Sequence, residues 1–185
     1  GTLALTEESA DFAPAAMAMR GDVGGRLNGS KLFVKDAHVA DHLLVVVHGN
    51  GGWNLGLVER DQPGVTLLPL EVMSGEKLFE VVLHDVPVWE DMLLGPAGQG
   101  WEYLAPVLQR GALARCAEMV GCAQRILDIC VSYAKVREQS GRPIGAFQAI
   151  QHHCADVLRH VEGSRYILYK AAWRMHAGRE CATDV

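Results

Sequence analysis

The chain has 185 residues, room for one large or two small domains with a sizeable core, and its 49% hydrophobic and 21% charged composition is that of a globular protein. No apolar run is long enough to span a bilayer, which argues against a membrane protein. The net charge of −5 is uneven: residues 1–100 carry 14 acidic and 6 basic side chains and residues 101–185 carry 8 and 11, making the second stretch the better phosphate face but too weakly basic for nucleic acid.

The chain opens on Gly1 rather than Met, with residues 3–6 already reading as strand and no secretory signal in view, so a piece of a longer protein is expected. The first hundred residues hold 14 of the 20 glycines, 5 of the 7 prolines and most of the short β-branched runs. Residues 32–34, 43–47, 55–58, 65–68 and 79–83 read as strands. Asn28-Gly29 is expected to turn a type I′ hairpin, Gly49 to Gly52 a second turn, and Gln62-Pro63-Gly64 a third, of type II. Short strands joined by Gly-rich turns predict an antiparallel barrel or sandwich over 1–100.

From Trp101 the period changes to that of a helix, with Pro106 at its start or at a bend. Met119, Ala123, Ile126, Cys130 and Tyr133 predict one buried stripe. A second helix is expected from about 146 toward 177, with Phe147, Ile150, Cys154, Val157 and Val161 on its apolar face and Gly178 as its stop. Between the helices, Ser140-Gly141-Arg142-Pro143 predicts a sharp corner. The fold class is therefore α+β, a β domain followed over 101–185 by a long antiparallel helical hairpin. Two helices alone leave apolar surface that further chain or a partner must cover. The five cysteines (Cys116, Cys122, Cys130, Cys154, Cys181) form no CxxC and read as buried thiols in a reducing cytoplasm, and the histidine spacing fits no metal site.

A cation and amide side chains gather at the corner: Arg137 before it, Phe147, Gln148 and Gln151 after it, a set suited to an anionic or polar ligand. The whole stretch YAKVREQSGRPIGAFQAIQHHCAD resembles the signature Y-x-x-x-R-x-Q-F-G-x-P-I-x-x-F-Q-x-x-Q-x-x-x-A-D of the acyl-CoA dehydrogenases, flavoenzymes that desaturate acyl-CoA thioesters. Tyr133, Arg137, Gln139, Gly141, Pro143, Ile144, Phe147, Gln148, Gln151, Ala155 and Asp156 match in register; Ser140 stands where the family has Phe. Leu27 to Val34 (LNGSKLFV) is similar to the family's L-N-G-x-K-x-[WF]-[IV]-T, and Ala4-Leu5-Thr6-Glu7 to the start of its T-E-P-x-x-G-S-D, here continued without glycines as Glu8-Ser9-Ala10-Asp11.

The resemblance implies the central β-barrel and the first two helices of the C-terminal bundle, with FAD as cofactor. It places Thr6 at the flavin, Ser9 at the pyrophosphate, Phe33 and Val34 along the isoalloxazine ring, and Lys35 where the family has a threonine near flavin N5. Arg137 would reach the pyrophosphate of a neighbouring subunit's FAD, with Gln148 beside it. Ser140 would lack an aromatic contact to the adenosine, a loss of ~1 kcal/mol. The resemblance also implies an acyl-CoA substrate, with Arg110 at the substrate, a homo- or hetero-oligomer, and an electron-transfer acceptor. Some members carry the catalytic glutamate early in the first bundle helix; the matching position is Gln109, which cannot act as a base, and Glu118 reads as helix surface. No catalytic residue is therefore assigned. A non-catalytic subunit of a heteromeric dehydrogenase and an acyl-CoA oxidase are the alternatives.

Overall fold

The computed structural model describes residues 1–13, 17–21 and 24–179. It divides into two compact units, Gly1–Ala105 and Pro106–Val185.

The first unit holds six strands: β1 (Thr2–Ala4), β2 (Arg26–Lys35), β3 (His42–Gly49), β4 (Gly52–Glu59), β5 (Val65–Leu70) and β6 (Leu78–Pro87). They form two three-stranded sheets in the orders β1-β3-β4 and β2-β6-β5. Both sheets contribute to one core, which joins Ala4, Leu43, Val45, Val47 and Val58 from the first to Leu27, Val34, Val81, Leu83 and Val86 from the second. Core positions recur at every second residue in β3 (Leu43, Val45, Val47) and β6 (Val81, Leu83), as one face of a sheet requires. The expected antiparallel barrel or sandwich needs one correction, since the pairing of β1 with β3 is parallel; no closed barrel is formed among the described residues.

Two of the expected turns are present. The β3–β4 hairpin closes with Gly49 opposite Gly52, and Gly64 takes φ +96° after Pro63, where a Cβ would lie against the His84 carbonyl oxygen. The Asn28-Gly29 hairpin is not formed. Both residues lie inside β2, where the register slips between Leu27 and Gly29, and the Asn28 side-chain oxygen accepts the Asp85 N–H at 3.0 Å. The extra residue at this slip belongs to β6, where His84 and Asp85 (φ +57°) stand opposite Asn28 alone, so Asn-Gly continues as strand because β6 offers a partner on either side of it.

Helix α1 (Gly100–Val136) contains Pro106, and α2 (Gln148–His176) ends in a Schellman cap. The Arg179 N–H donates to the Arg174 carbonyl at 2.8 Å and the Gly178 N–H to that of Met175 at 3.2 Å, with Gly178 at φ +64°. The two helices run antiparallel: residues 113–123 of α1 face 157–168 of α2 across a groove of about 490 Å³, and residues 124–135 face 154–158. Arg165 spans the interface to Gln124 at 2.6 Å.

The stripe expected to be buried on α1 meets α2 only in its first part. Met119 and Ala123 line the groove together with Leu113, Cys116 and Val120, whereas further along Ile126 and Tyr133 are 60% and 55% exposed and Leu127 and Ala134 are buried beside them. Over residues 124–135 the side that faces α2 runs through Leu127 and Val131. The cysteines are correspondingly less buried than expected: Cys122 and Cys130 are exposed, Cys116 and Cys154 half-buried, all four free thiols; Cys181 lies outside the described residues. No helix is long and apolar enough to cross a membrane among the described residues.

Leu43→Ala removes a fully buried side chain from the shared core, and urea unfolding is expected to show a loss of about 2–5 kcal/mol.

Candidate functional site

The residues singled out in the sequence fall into two groups, one in each unit. In the first unit they line β2. Its register against β6 slips a second time: Lys31 pairs with Val81 and Val34 with Phe79, so Leu32 and Phe33 share the place opposite one residue, a β-bulge. Phe33 takes φ +58°, a left-handed conformation that costs a bulky residue about 1–3 kcal/mol and that clusters at functional sites. Its ring is 47% exposed, while Val34 beside it lies in the core. Leu32 turns its backbone to Thr6. The Leu32 N–H donates to the Thr6 carbonyl at 2.8 Å, and the buried Thr6 hydroxyl donates back to the Leu32 carbonyl at 2.6 Å. With its proton so used, the Thr6 oxygen faces any ligand as an acceptor.

Lys31 matches the family pattern, but its role emerges only from the structure. It is fully buried, a rare position for lysine. Its ammonium donates to the Leu5 carbonyl at 3.1 Å and to Glu7 Oε1 at 2.6 Å. The Glu7 carboxylate also accepts the N–H groups of Ala18, at 2.7 Å, and Met19, at 3.1 Å. Burial alone would raise the Glu7 carboxyl, but the Lys31 ammonium and the two backbone N–H groups together hold it below the ordinary glutamate value. Burial pushes the Lys31 ammonium down, against the pull of Glu7. Ser9 is exposed, its hydroxyl oxygen 3.4 Å from the Asp11 N–H. Lys35 ends β2 with its ammonium 2.8 Å from the Glu76 carboxylate.

The second group lies at the corner between the helices. The Arg137 N–H closes the end of α1 on the Tyr133 carbonyl at 2.9 Å, and its own carbonyl accepts the Ile144 N–H at 2.8 Å. Glu138–Gln139 and Arg142–Pro143 pair as two-residue strands β7 and β8, with Ser140 at φ +53° and Gly141 at φ +76° between them. Two successive left-handed residues make a type I′ turn, so the expected corner is a miniature hairpin. A single 3₁₀ turn (Ile144–Ala146) then leads to α2, whose first residue is Gln148. Close approach fixes this path: a Cβ at Gly145 would lie 3.0 Å from the Ala134 carbonyl oxygen, and the Gln151 amide holds the Gly145 carbonyl at 2.9 Å.

The Arg142 guanidinium lies 4.2 Å from the Phe147 ring centroid. Arg137, Ser140 and Gln148 are exposed. Two guanidinium groups therefore lie in the same corner as the amino-terminal end of α2, whose first N–H groups have no partner within the helix, an arrangement suited to phosphate oxygens. On α1, Gln109 and Arg110 are exposed, and Glu118 pairs with Arg115 at 2.6 Å on the same surface.

The Glu7–Lys31 pair gives two expected outcomes. Lys31→Met leaves the Glu7 carboxylate without its cation and lowers stability by about 3–5 kcal/mol, measured by urea unfolding. Glu7 binds its proton less readily folded than unfolded. Its contribution is thus complete above the ordinary glutamate range and is lost as pH falls through the depressed folded value, which acid titration of the unfolding free energy will record.

Residues 98–185 match the family model described as the acyl-CoA dehydrogenase C-terminal domain. The chain is 32% identical over 190 residues to the mitochondrial short/branched chain specific acyl-CoA dehydrogenase of Rattus norvegicus, covering 97% of this chain and 44% of that protein. Among solved structures, butyryl-CoA dehydrogenase from Megasphaera elsdenii superposes with a TM-score of 0.84 at 30% identity, covering 99% of this chain and 51% of that one. A structure described as PigA with FAD and proline gives 0.88 at 26% identity, with 99% and 51% covered. The chain spans about half the length of the curated relatives it matches. By its folded sheets, its paired helices and these likenesses, the chain belongs to the acyl-CoA dehydrogenase family.

Proposed function

We propose that the chain is the flavin-holding part of an FAD-dependent acyl-CoA dehydrogenase. The observation that carries this reading is the Leu32–Phe33 bulge: a strained backbone turns a large aromatic ring to solvent beside the Thr6 hydroxyl, where a buried phenylalanine would have served the core better. FAD fits the residues present, since its ring system suits an exposed aromatic face and its diphosphate suits exposed guanidinium groups. When bound, FAD supplies the electron acceptor for oxidising the α,β-carbons of an acyl-CoA thioester.

The chain's own residues do the holding. Phe33 offers its ring as a wall for the isoalloxazine and Val34 fixes that ring from the core side of the strand. Thr6 offers an acceptor to a flavin N–H. Arg137 presents a planar fork to the pyrophosphate oxygens of a neighbouring subunit's FAD, with Gln148 and the α2 amino terminus adding neutral donors. Ser9 is a further donor for phosphate, and Ser140 leaves the adenosine side without an aromatic neighbour. Lys35, with Glu76 close by, offers a partly neutralised charge. Arg110 faces the CoA thioester's side of the reaction. The proposed partners are an acyl-CoA substrate, further subunits and an electron-transfer acceptor.

A second reading, the non-catalytic subunit of a heteromeric dehydrogenase, is favoured by Gln109 at the position where some relatives carry the base, because an amide cannot take the α-proton.

The intact gene product is expected to leave gel filtration yellow, or to become so on adding FAD; a protein that stays colourless overturns the flavin reading. Arg137→Gln is expected to weaken FAD binding by about 10- to 100-fold, the loss of a charge-assisted contact to phosphate, as measured by flavin titration. Turnover of acyl-CoA with a dye acceptor by the protein alone would exclude the non-catalytic reading.

A further inference from the structure

Buried charge is an expensive way to hold two strands together. Well-packed apolar residues of similar volume usually do as well or better, so a fully buried ammonium calls for a reason beyond cohesion. Its neighbours supply one. The Lys31 ammonium holds the Leu5 carbonyl and the Glu7 carboxylate, the residues on either side of Thr6. In the strand, Lys31 is the last residue in register before the bulge at Leu32 and Phe33. Glu7 in turn accepts the N–H groups of Ala18 and Met19, so one carboxylate ties the start of the segment after Thr6 to its return. Contacts from both sides leave Thr6 little freedom, and its hydroxyl is directed at Leu32.

We propose that Glu7 and Lys31 are a positioning pair, setting the Thr6 hydroxyl and the Phe33 ring along one edge to receive the flavin while neither of them touches it. The proposal rests on the flavin reading above and goes beyond it by naming what aligns the edge. Directional bonds give this alignment. An apolar pair would close the same space without fixing the rotation of residues 5–7 about the strand. The lowered affinity of Lys31 for its proton agrees with a charge held at some cost to stability.

The test uses the intact gene product freed of flavin, with FAD itself as probe. The unmodified protein is compared with Glu7→Gln, with Glu7→Gln/Lys31→Met, and with Arg26→Met, which removes the exposed Arg26–Asp85 pair on the same strand. Three quantities are read: the Kd for FAD, the shape of the bound flavin's visible band, and the Tm of the flavin-free protein. Glu7→Gln keeps an acceptor for the Ala18 and Met19 N–H groups but leaves the buried Lys31 ammonium without its carboxylate, so its Tm is expected to fall.

Both Glu7 variants are expected to bind FAD about tenfold or more weakly and to alter the band. The double variant is expected to keep the parent's Tm, because no orphaned charge remains, and Arg26→Met to keep both Kd and band. Parent-like Kd and band shape in Glu7→Gln or in the folded double variant overturn the inference and leave the flavin reading standing. A Kd that merely follows Tm through all the variants also overturns it, as it would reduce the pair to a fold-stabilising role. An unmodified protein that takes up no FAD removes the flavin reading and the inference together.

Discussion

Between the Lys31–Val81 and Val34–Phe79 pairs, β2 fits two residues where β6 has one, and the rest of the sheet edge depends on that miscount. A strand alternates its faces strictly, so one extra residue reverses every side chain beyond it. Before the bulge, Leu27 and Lys31 point inward; after it, Val34 does. Phe33 is left at the reversal, with a backbone that glycine would adopt more easily. The strain is held by what surrounds it: the ladder on both sides, the two hydrogen bonds exchanged with Thr6, and the ammonium under Leu5 and Glu7.

The corner between the helices solves a different problem by similar means. A 37-residue helix must end and a 29-residue one begin with their ends close enough for the two to lie side by side. The type I′ turn at Ser140-Gly141, the missing side chain at Gly145 and the Gln151 amide fix the path, so Arg137 and Arg142 are carried on a stiff support. An anion-binding group gains from such stiffness because less side-chain and backbone freedom is lost on binding.

Much of this was legible in the sequence where one signal acted alone. The strands of the first hundred residues, the switch to helix near Trp101, the corner and the Gly178 stop all follow from local chemistry. Reading failed where a partner segment decided. Asn28-Gly29 has the composition of a hairpin turn, yet β6 pairs on both sides of it and holds it as strand, with the extra residue of the slip on β6. Ile126 and Tyr133 have helical spacing with Met119, but so do Leu127 and Ala134 with Leu113, Cys116 and Val120, and spacing alone cannot say which of them meets α2. Lys31 was masked by the rule that lysines are exposed. Its signal was a break in parity, with Leu27 and Lys31 on one face and Val34 displaced by an odd step, a pattern that only a bulge reconciles. The position of Phe33 followed from the family resemblance; its exposure followed from the bulge.

The outer seam of α1 bears on how the protein is made. During synthesis, the sheets of residues 1–105 can complete their shared core as soon as β6 has emerged, because every strand they need is already present. The helices cannot do likewise. Once α2 has zipped against one side of α1, the ridge of Ile126, Ile129, Tyr133 and Val136 still faces water, at the alternating steps of three and four residues of an unfastened half of a coiled coil. Nascent chains are thus expected to pass through a state with a finished β unit and an adhesive rod behind it, the kind of intermediate on which chaperones act.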